Sequence, residues 1–323
     1  MIPTLFLDHL NILPLKKYSY DTMKKNRIDF ERIKRLIIIA LVSDDYLMET
    51  LVLKGGNALS VAYELSSRAS FDLDFSIGND FRNVPDVRSR MMKVLEEKFR
   101  LEGFQVFDFS FLGKPRVSKE ALKDFWGGYL VTFKFIELEL LRQLGRDANF
   151  EDMRRNAVPI YPDQSRSIVI EISKYEFIED LQEVELDGYT VQVYAPRLLI
   201  FEKVRAICQQ LKEYKEVIPS FSPRVRTRDF YDIATLMSHF SVDLFSAESR
   251  KILMQVFDAK RVPYAYLHNI NSSRELHRQG FASLVDTVTA DEKENLKDFD
   301  FYFDYVIETF SSMLDEDLQK PLG

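Results

Sequence analysis

Apolar and polar positions follow two rhythms along this chain, and the balance between them changes near residue 195. Residues 28–43, IDFERIKRLIIIALVS, carry a broad apolar stripe at helical spacing, and residues 50–54 read as a short buried strand. NALSVAYEL returns to helical spacing after a glycine pair. SFDLDFSI then alternates with period two, with Ser70, Asp72, Asp74 and Ser76 on one face and Phe71, Leu73, Phe75 and Ile77 on the other. VPDVRSRMMKVLEEKFRLEGF predicts an amphipathic helix with a proline near its start and Gly103 at its end. Four strands follow, FQVFDFSF, GYLVTFKFIELEL, SIVIEIS and YTVQVYAP. After Pro196 the helical rhythm dominates, in RLLIFEKVRAICQQLKEY, in RTRDFYDIATLMSHF and in further helices to about Leu314. The pattern predicts an α/β (α+β) fold: a mixed β-sheet flanked by helices over residues 1–195, then a helical part over 196–323. No repeat, low-complexity tract or flexible linker separates them, so they pack as one body or as two closely joined lobes.

Composition narrows the class. The chain has 323 residues, 46% hydrophobic and 29% charged, the balance of a globular protein with a sizeable core. A single cysteine, Cys208, excludes an internal disulfide framework and points to a reducing, cytoplasmic compartment. Four scattered histidines leave no zinc-like cluster, so a metal here would be a hard cation held by carboxylates. No run of eighteen apolar residues is present, and the start lacks the features of a signal peptide. The net charge of −7 is unevenly spread. Residues 197–228 hold eight Lys or Arg against three Glu, whereas 286–317 hold eleven Asp or Glu against two Lys. The first reads as a basic working surface and the second as solvated helix faces.

The chemistry concentrates in LVLKGGNALSVAYELSSRASFDLDFSI, residues 51–77. Gly55 and Gly56 allow a sharp turn and close approach of a ligand. The start of the next helix offers free N–H groups to an anion such as phosphate. Asp72 and Asp74, two apart on one strand face, can reach one ion. Mg²⁺ suits such a pair, because it takes one or two carboxylates and keeps its other positions for water and phosphate oxygens. Each element alone is common; their order and spacing together point to a nucleotide-handling site.

KGGNAL followed by SRASFDLDFSI resembles the first motif of the AbiEii/AbiGii-type nucleotidyltransferase toxins, within the polymerase-beta-like nucleotidyltransferase superfamily. Arg68, Ser70, Asp72, Asp74 and Phe75 fit that motif, and Asn57 stands where the family usually has Ser or Thr. FEKVRAICQQ and RVRTRDFYDI resemble a later family element, supplying Lys203 and Asp229, so the likeness spans roughly residues 35–240 in register. The resemblance implies a nucleotidyltransferase core, with the helical part contributing Lys203 and Asp229 to its site. It implies transfer of a nucleoside monophosphate from an NTP to a hydroxyl, with Mg²⁺ (or Mn²⁺ in its place) on Asp72 and Asp74. It implies the toxin of a bacterial toxin–antitoxin or phage abortive-infection pair, a cognate antitoxin and transfer RNA as acceptor. Two other classes stay open: a turnover-deficient NTP-binding protein on this fold, and a nucleotidyltransferase that modifies a small molecule.

Roles follow. Gly55, Gly56, Asn57 and Ser70 would hold phosphates. Glu171, the one charge in SIVIEIS, is read either as the third metal ligand and proton acceptor or as an edge-strand charge facing solvent; Glu137 and Glu139 are rivals. By resemblance Lys203 would neutralise the triphosphate, and Asp229 would orient it or an arginine, with Asp232 as runner-up. Arg224, Arg226 and Arg228 crowd one helix entry and suit phosphates. Cys208 and the aromatics Phe299, Phe301, Tyr302, Phe303, Tyr305 and Phe310 read as core packing.

Overall fold

A computed structural model describes residues 30–65, 72–115, 120–145, 149–161 and 163–318. The chain begins with α1 (Phe30–Val42) and α2 (Asp45–Thr50), whose N-terminus Asp44 caps by accepting from the Leu47 N–H. Strand β1 (Val52–Leu53) leads into a tight helical turn, α3 (Gly55–Asn57), which runs on as a π-helical segment over Ala58–Ala62. Strand β2 (Leu73–Ile77) follows, then α4 (Val84–Leu101), capped by Asn83, with Pro85 in its first turn and Gly103 at φ +85° beyond its end. The middle of the chain supplies β3 (Phe104–Lys114), β4 (Gly128–Glu137), α5 (Leu138–Leu144), α6 (Phe150–Asn156), β5 (Ile168–Lys174), β6 (Leu181–Leu186) and β7 (Tyr189–Tyr194). The helical part comprises α7 (Pro196–Cys208), α8 (Thr227–His239), α9 (Ala247–Asp258), α10 (Arg274–Arg278), α11 (Phe281–Thr287), α12 (Ala290–Lys293) and α13 (Phe299–Leu318).

Among the described residues seven strands form one mixed sheet in the order β3-β4-β5-β2-β1-β7-β6. β2 runs parallel to β5 and antiparallel to β1, and β1 runs parallel to β7. One sheet face is core: Phe75, Ile77, Val131, Phe133, Phe135, Ile170 and Ile172 are all 2% exposed or less. The other face carries the half-buried alternates, among them Asp74, Leu130, Thr132 and Glu171. One continuous hydrophobic cluster runs from Ile33 on α1 through the sheet to Phe303 and Phe310 on α13, so the two predicted parts share a core.

The expected mixed sheet and helical second half are present, with four differences. The helix after the glycine pair stops at Ala62, short of the expected run. LEL in the predicted fourth strand turns into α5 instead, where the helix former Leu dominates and no β-branched residue follows. α2, α6 and β6 carry no clear period and are not expected from the sequence. The helix read through Tyr214 ends at Cys208, and Lys212–Glu216 is a separate 3₁₀ turn. Among the described residues no helix is long and apolar enough to cross a membrane.

Candidate active site

The glycine turn and the aspartate strand meet. β1 pairs with β2 so that Leu53 lies opposite Phe75, and the Lys54 N–H donates to the Asp74 carbonyl at 3.0 Å. Gly55 has φ +67°, and a Cβ placed there would lie 2.9 Å from Asp74 Oδ2. Glycine is therefore required twice over, by the backbone and by the carboxylate packed on it. Asn57 is fully buried, and its Nδ2 donates to the Asp72 carbonyl. Among the described residues its Oδ1 has no hydrogen-bond partner. The Nδ2 bond fixes the entry of β2 to the turn, and the second N–H of Nδ2 is the donor that the expected phosphate contact would use.

Glu171 lies directly opposite Asp74 on the parallel neighbour β5, so both carboxylates share the less buried sheet face. Of the two readings of Glu171, the structure places it beside Asp74 on a central strand rather than at an edge. Burial pushes the Asp74 carboxyl up to about 6; Lys54 opposes this, and the charges of Glu171 and Asp72 add to it. Glu137 precedes α5 at the far end of β4 without a side-chain cap bond, and Glu139 is engaged by Arg142 on the surface. Among the described residues no three His, Cys, Asp or Glu side chains are drawn together closely enough to hold a metal as they stand. The three carboxylates crowd by charge without forming a cage. That donor set fits Mg²⁺, which needs only one or two carboxylates and otherwise prefers water and phosphate oxygens.

Lys54 is the site residue that sequence reasoning missed. Its Nζ lies 3.3 Å from Ser173 Oγ, 3.5 Å from Glu176 and 3.6 Å from Glu202. Burial works against its charge, but Glu176, Glu202 and Asp74 outweigh it and raise its pKa. Arg205 reaches Glu202 at 3.1 Å and Glu176 at 3.4 Å, and Lys260, just past α9, reaches Glu176 at 3.4 Å. Burial opposes the charge of Glu176, yet these cations hold its carboxyl down at about 2. The signal was available, since Lys54 is the one charge in LVLKGG, but a lysine beside a glycine turn reads as surface.

Lys203 is buried on α7, with its Nζ 2.7 Å from Asp232 and 3.2 Å from Asp229. The expected pair Lys203–Asp229 is present, and the runner-up Asp232 makes the shorter contact. The charges that act most strongly on Asp74 are those of Lys54, Glu171, Asp72 and Glu202; Lys203 acts on Glu202. Arg226 is exposed and lies 3.6 Å from Asp229, while its backbone N–H donates to His277 Nδ1 at 3.0 Å. Arg224 is exposed and Arg228 half-buried. The basic run over 197–228 is not one surface: Arg205 and Lys203 are buried, and Arg197 pairs with Asp180 and Glu248. Gly56 lies in the helical turn; Arg68 and Ser70 lie outside the described residues. Cys208 is buried as expected, and burial pushes its thiol up.

A family model described as the nucleotidyl transferase AbiEii toxin of a type IV toxin–antitoxin system matches residues 38–305. No curated protein matches the chain. Among solved structures, JHP933 from Helicobacter pylori is similar over 93% of this chain and 96% of that one, at 14% identity and TM-score 0.44. An antigenic nucleotidyltransferase-like protein from Paracoccidioides brasiliensis is similar over 71% of this chain and 93% of that one, at 14% identity and TM-score 0.36.

Proposed function

We propose a function from one premise: the chain belongs to the AbiEii family of nucleotidyl transferase toxins of type IV toxin–antitoxin systems. In the proposed reaction an acceptor hydroxyl attacks the α-phosphorus of an NTP. The new P–O bond joins the nucleoside monophosphate to the acceptor, the bond to the β-phosphate breaks, and pyrophosphate leaves. Asp72, Asp74 and Glu171 would hold Mg²⁺, or Mn²⁺ in its place, which when bound neutralises triphosphate charge at the reacting phosphorus. The backbone at Gly55 and Gly56 receives the phosphates, a role that the family resemblance also gives to Asn57 and Ser70. Glu171 takes the proton of the attacking hydroxyl. Arg226 and Arg228 at the entry of α8 would meet the phosphate tail of the donor, and Lys203, held by Asp229 and Asp232, would add positive charge from behind them. The acceptor is transfer RNA, and a cognate antitoxin, encoded as the partner of such a toxin, restrains it in the bacterial cytoplasm, where the pair serves phage defence.

The observation that supports this reading best is the carboxylate of Asp74 packed against Gly55 with Glu171 in register beside it. Incubation with each labelled NTP, Mg²⁺ and total bacterial RNA and protein tests it. Label in an RNA band, absent with Asp72→Ala, is the expected result. Label in a small molecule would identify a different acceptor. Nucleotide retained without release of pyrophosphate would mark a turnover-deficient binder and overturn the reaction.

A further inference from the structure

Donor and acceptor must meet at Asp74 from different directions, and the sheet register separates them. On the β1 side stands the Gly55 turn, against Asp74 Oδ2. On the other side one row of side chains runs outward: Asp74 lies opposite Glu171, Glu171 opposite Leu130, and Leu130 opposite Leu112. Directly opposed residues of neighbouring strands point to the same face. The Glu171 side chain is 42% exposed and Leu112 is 43% exposed, so the row leads from the site to open surface. Lys114 stands two residues beyond Leu112 and shares this face. Its Nζ lies 2.8 Å from Glu171 Oε1, and its side chain is 53% exposed. Between Lys114 and β5 lies Gly128, where a Cβ would sit 2.0 Å from the Ile172 carbonyl oxygen. No side chain can stand at that crossing.

An exposed ion pair contributes little to stability, so folding does not account for a lysine held on a site carboxylate. The two other lysines of the site face inward: Lys54 onto Glu176 and Glu202, Lys203 onto Asp229 and Asp232. Of these three, Lys114 presents its ammonium at the surface. An acceptor that approaches Glu171 over Leu112 and Leu130 passes that ammonium first. We infer that Lys114 binds a backbone phosphate of an acceptor RNA next to its reacting hydroxyl. Lys114 leaves Glu171 for the phosphate, and the released carboxylate accepts the proton of the hydroxyl. This inference rests on the nucleotidyl transfer proposed above.

The test uses the full chain and a fluorescently labelled single-stranded oligoribonucleotide, titrated by anisotropy over a series of KCl concentrations. In parallel, calorimetry measures binding of a non-hydrolysable NTP analogue with Mg²⁺. Lys114→Ala should weaken oligoribonucleotide binding several-fold and flatten the slope of log affinity against log salt by about 0.7, the share of one phosphate contact. Nucleotide affinity and thermal stability should stay as in wild type, and Lys114→Arg should keep most of the RNA affinity. Unchanged RNA binding by Lys114→Ala, a loss confined to the nucleotide, or a wild type that ignores the oligoribonucleotide each overturn the inference while leaving the donor site standing. A wild type that binds no nucleotide overturns the proposed function and the inference with it.

Discussion

Asp74 stands between a glycine and two further carboxylates, and small changes at either boundary have large consequences. Gly55→Ala places a methyl carbon 2.9 Å from Asp74 Oδ2 on a backbone at φ +67°. The strain should cost about 1–3 kcal/mol. The variant should transfer far less label than a surface control of equal stability, and equal transfer would show that the turn does not shape the site. A second residue sets a pH dependence. His277 is fully buried, its Nδ1 accepts from the Arg226 N–H, and its Nε2 has no hydrogen-bond partner among the described residues. Burial, with the Arg226 charge, pushes its pKa from 6.5 to about 4. Between these values the unfolded chain binds more protons than the folded one, so stability rises with pH through that window and is lost as pH falls, by up to roughly 3 kcal/mol. Urea titrations of wild type and His277→Asn from pH 4 to 7 should show a shallower slope in the variant. At this scale Asp72, Asp74 and Glu171 were legible, because a charge at an alternating position of an apolar strand stands out. Lys54 and the burial of Asn57 were not, since both depend on which distant segments close over β1.

The elements around β1 are tied together by buried charge. Lys54 at its end meets Glu176 beyond β5 and Glu202 on α7, and Lys260 beyond α9 completes the group. Breaking one member of such a group strands charge out of water and costs about 3–5 kcal/mol. Lys54→Met should therefore lower thermal stability sharply, and Lys54→Met combined with Glu202→Gln should recover part of the loss. An additive double variant would show that the two side chains do not interact. The main helices and strands were legible from their periods. The turn of β4 into α5 was not, because FIELEL suits either period and only the end of the sheet decides. The acidic stretch near the C-terminus also does more than face solvent: Asp300 and Asp304 on α13 bind Arg274, and Asp300 binds Arg278 as well, joining α10 to α13.

At the scale of the whole molecule, one hydrophobic core joins the sheet to the helical part, so Lys203 on α7, Asp229 on α8 and Arg226 just before α8 belong to a body that shares its core with β2. Sequence could divide the chain by its change of rhythm near residue 195, but a change of rhythm does not reveal that both parts bury the same apolar surface. Expression in a bacterial host should arrest growth, and Asp72→Ala should relieve the arrest; growth unaffected by wild type would remove the toxin role while leaving the chemistry open. The central claim is that the carboxylates on the less buried sheet face carry nucleotidyl transfer. Pyrophosphate release from Mg²⁺–NTP in the presence of total bacterial RNA, compared between wild type and a thermally stable Asp74→Asn, tests it most directly. The account predicts release by wild type and a fall to background in the variant; equal release by both would contradict it.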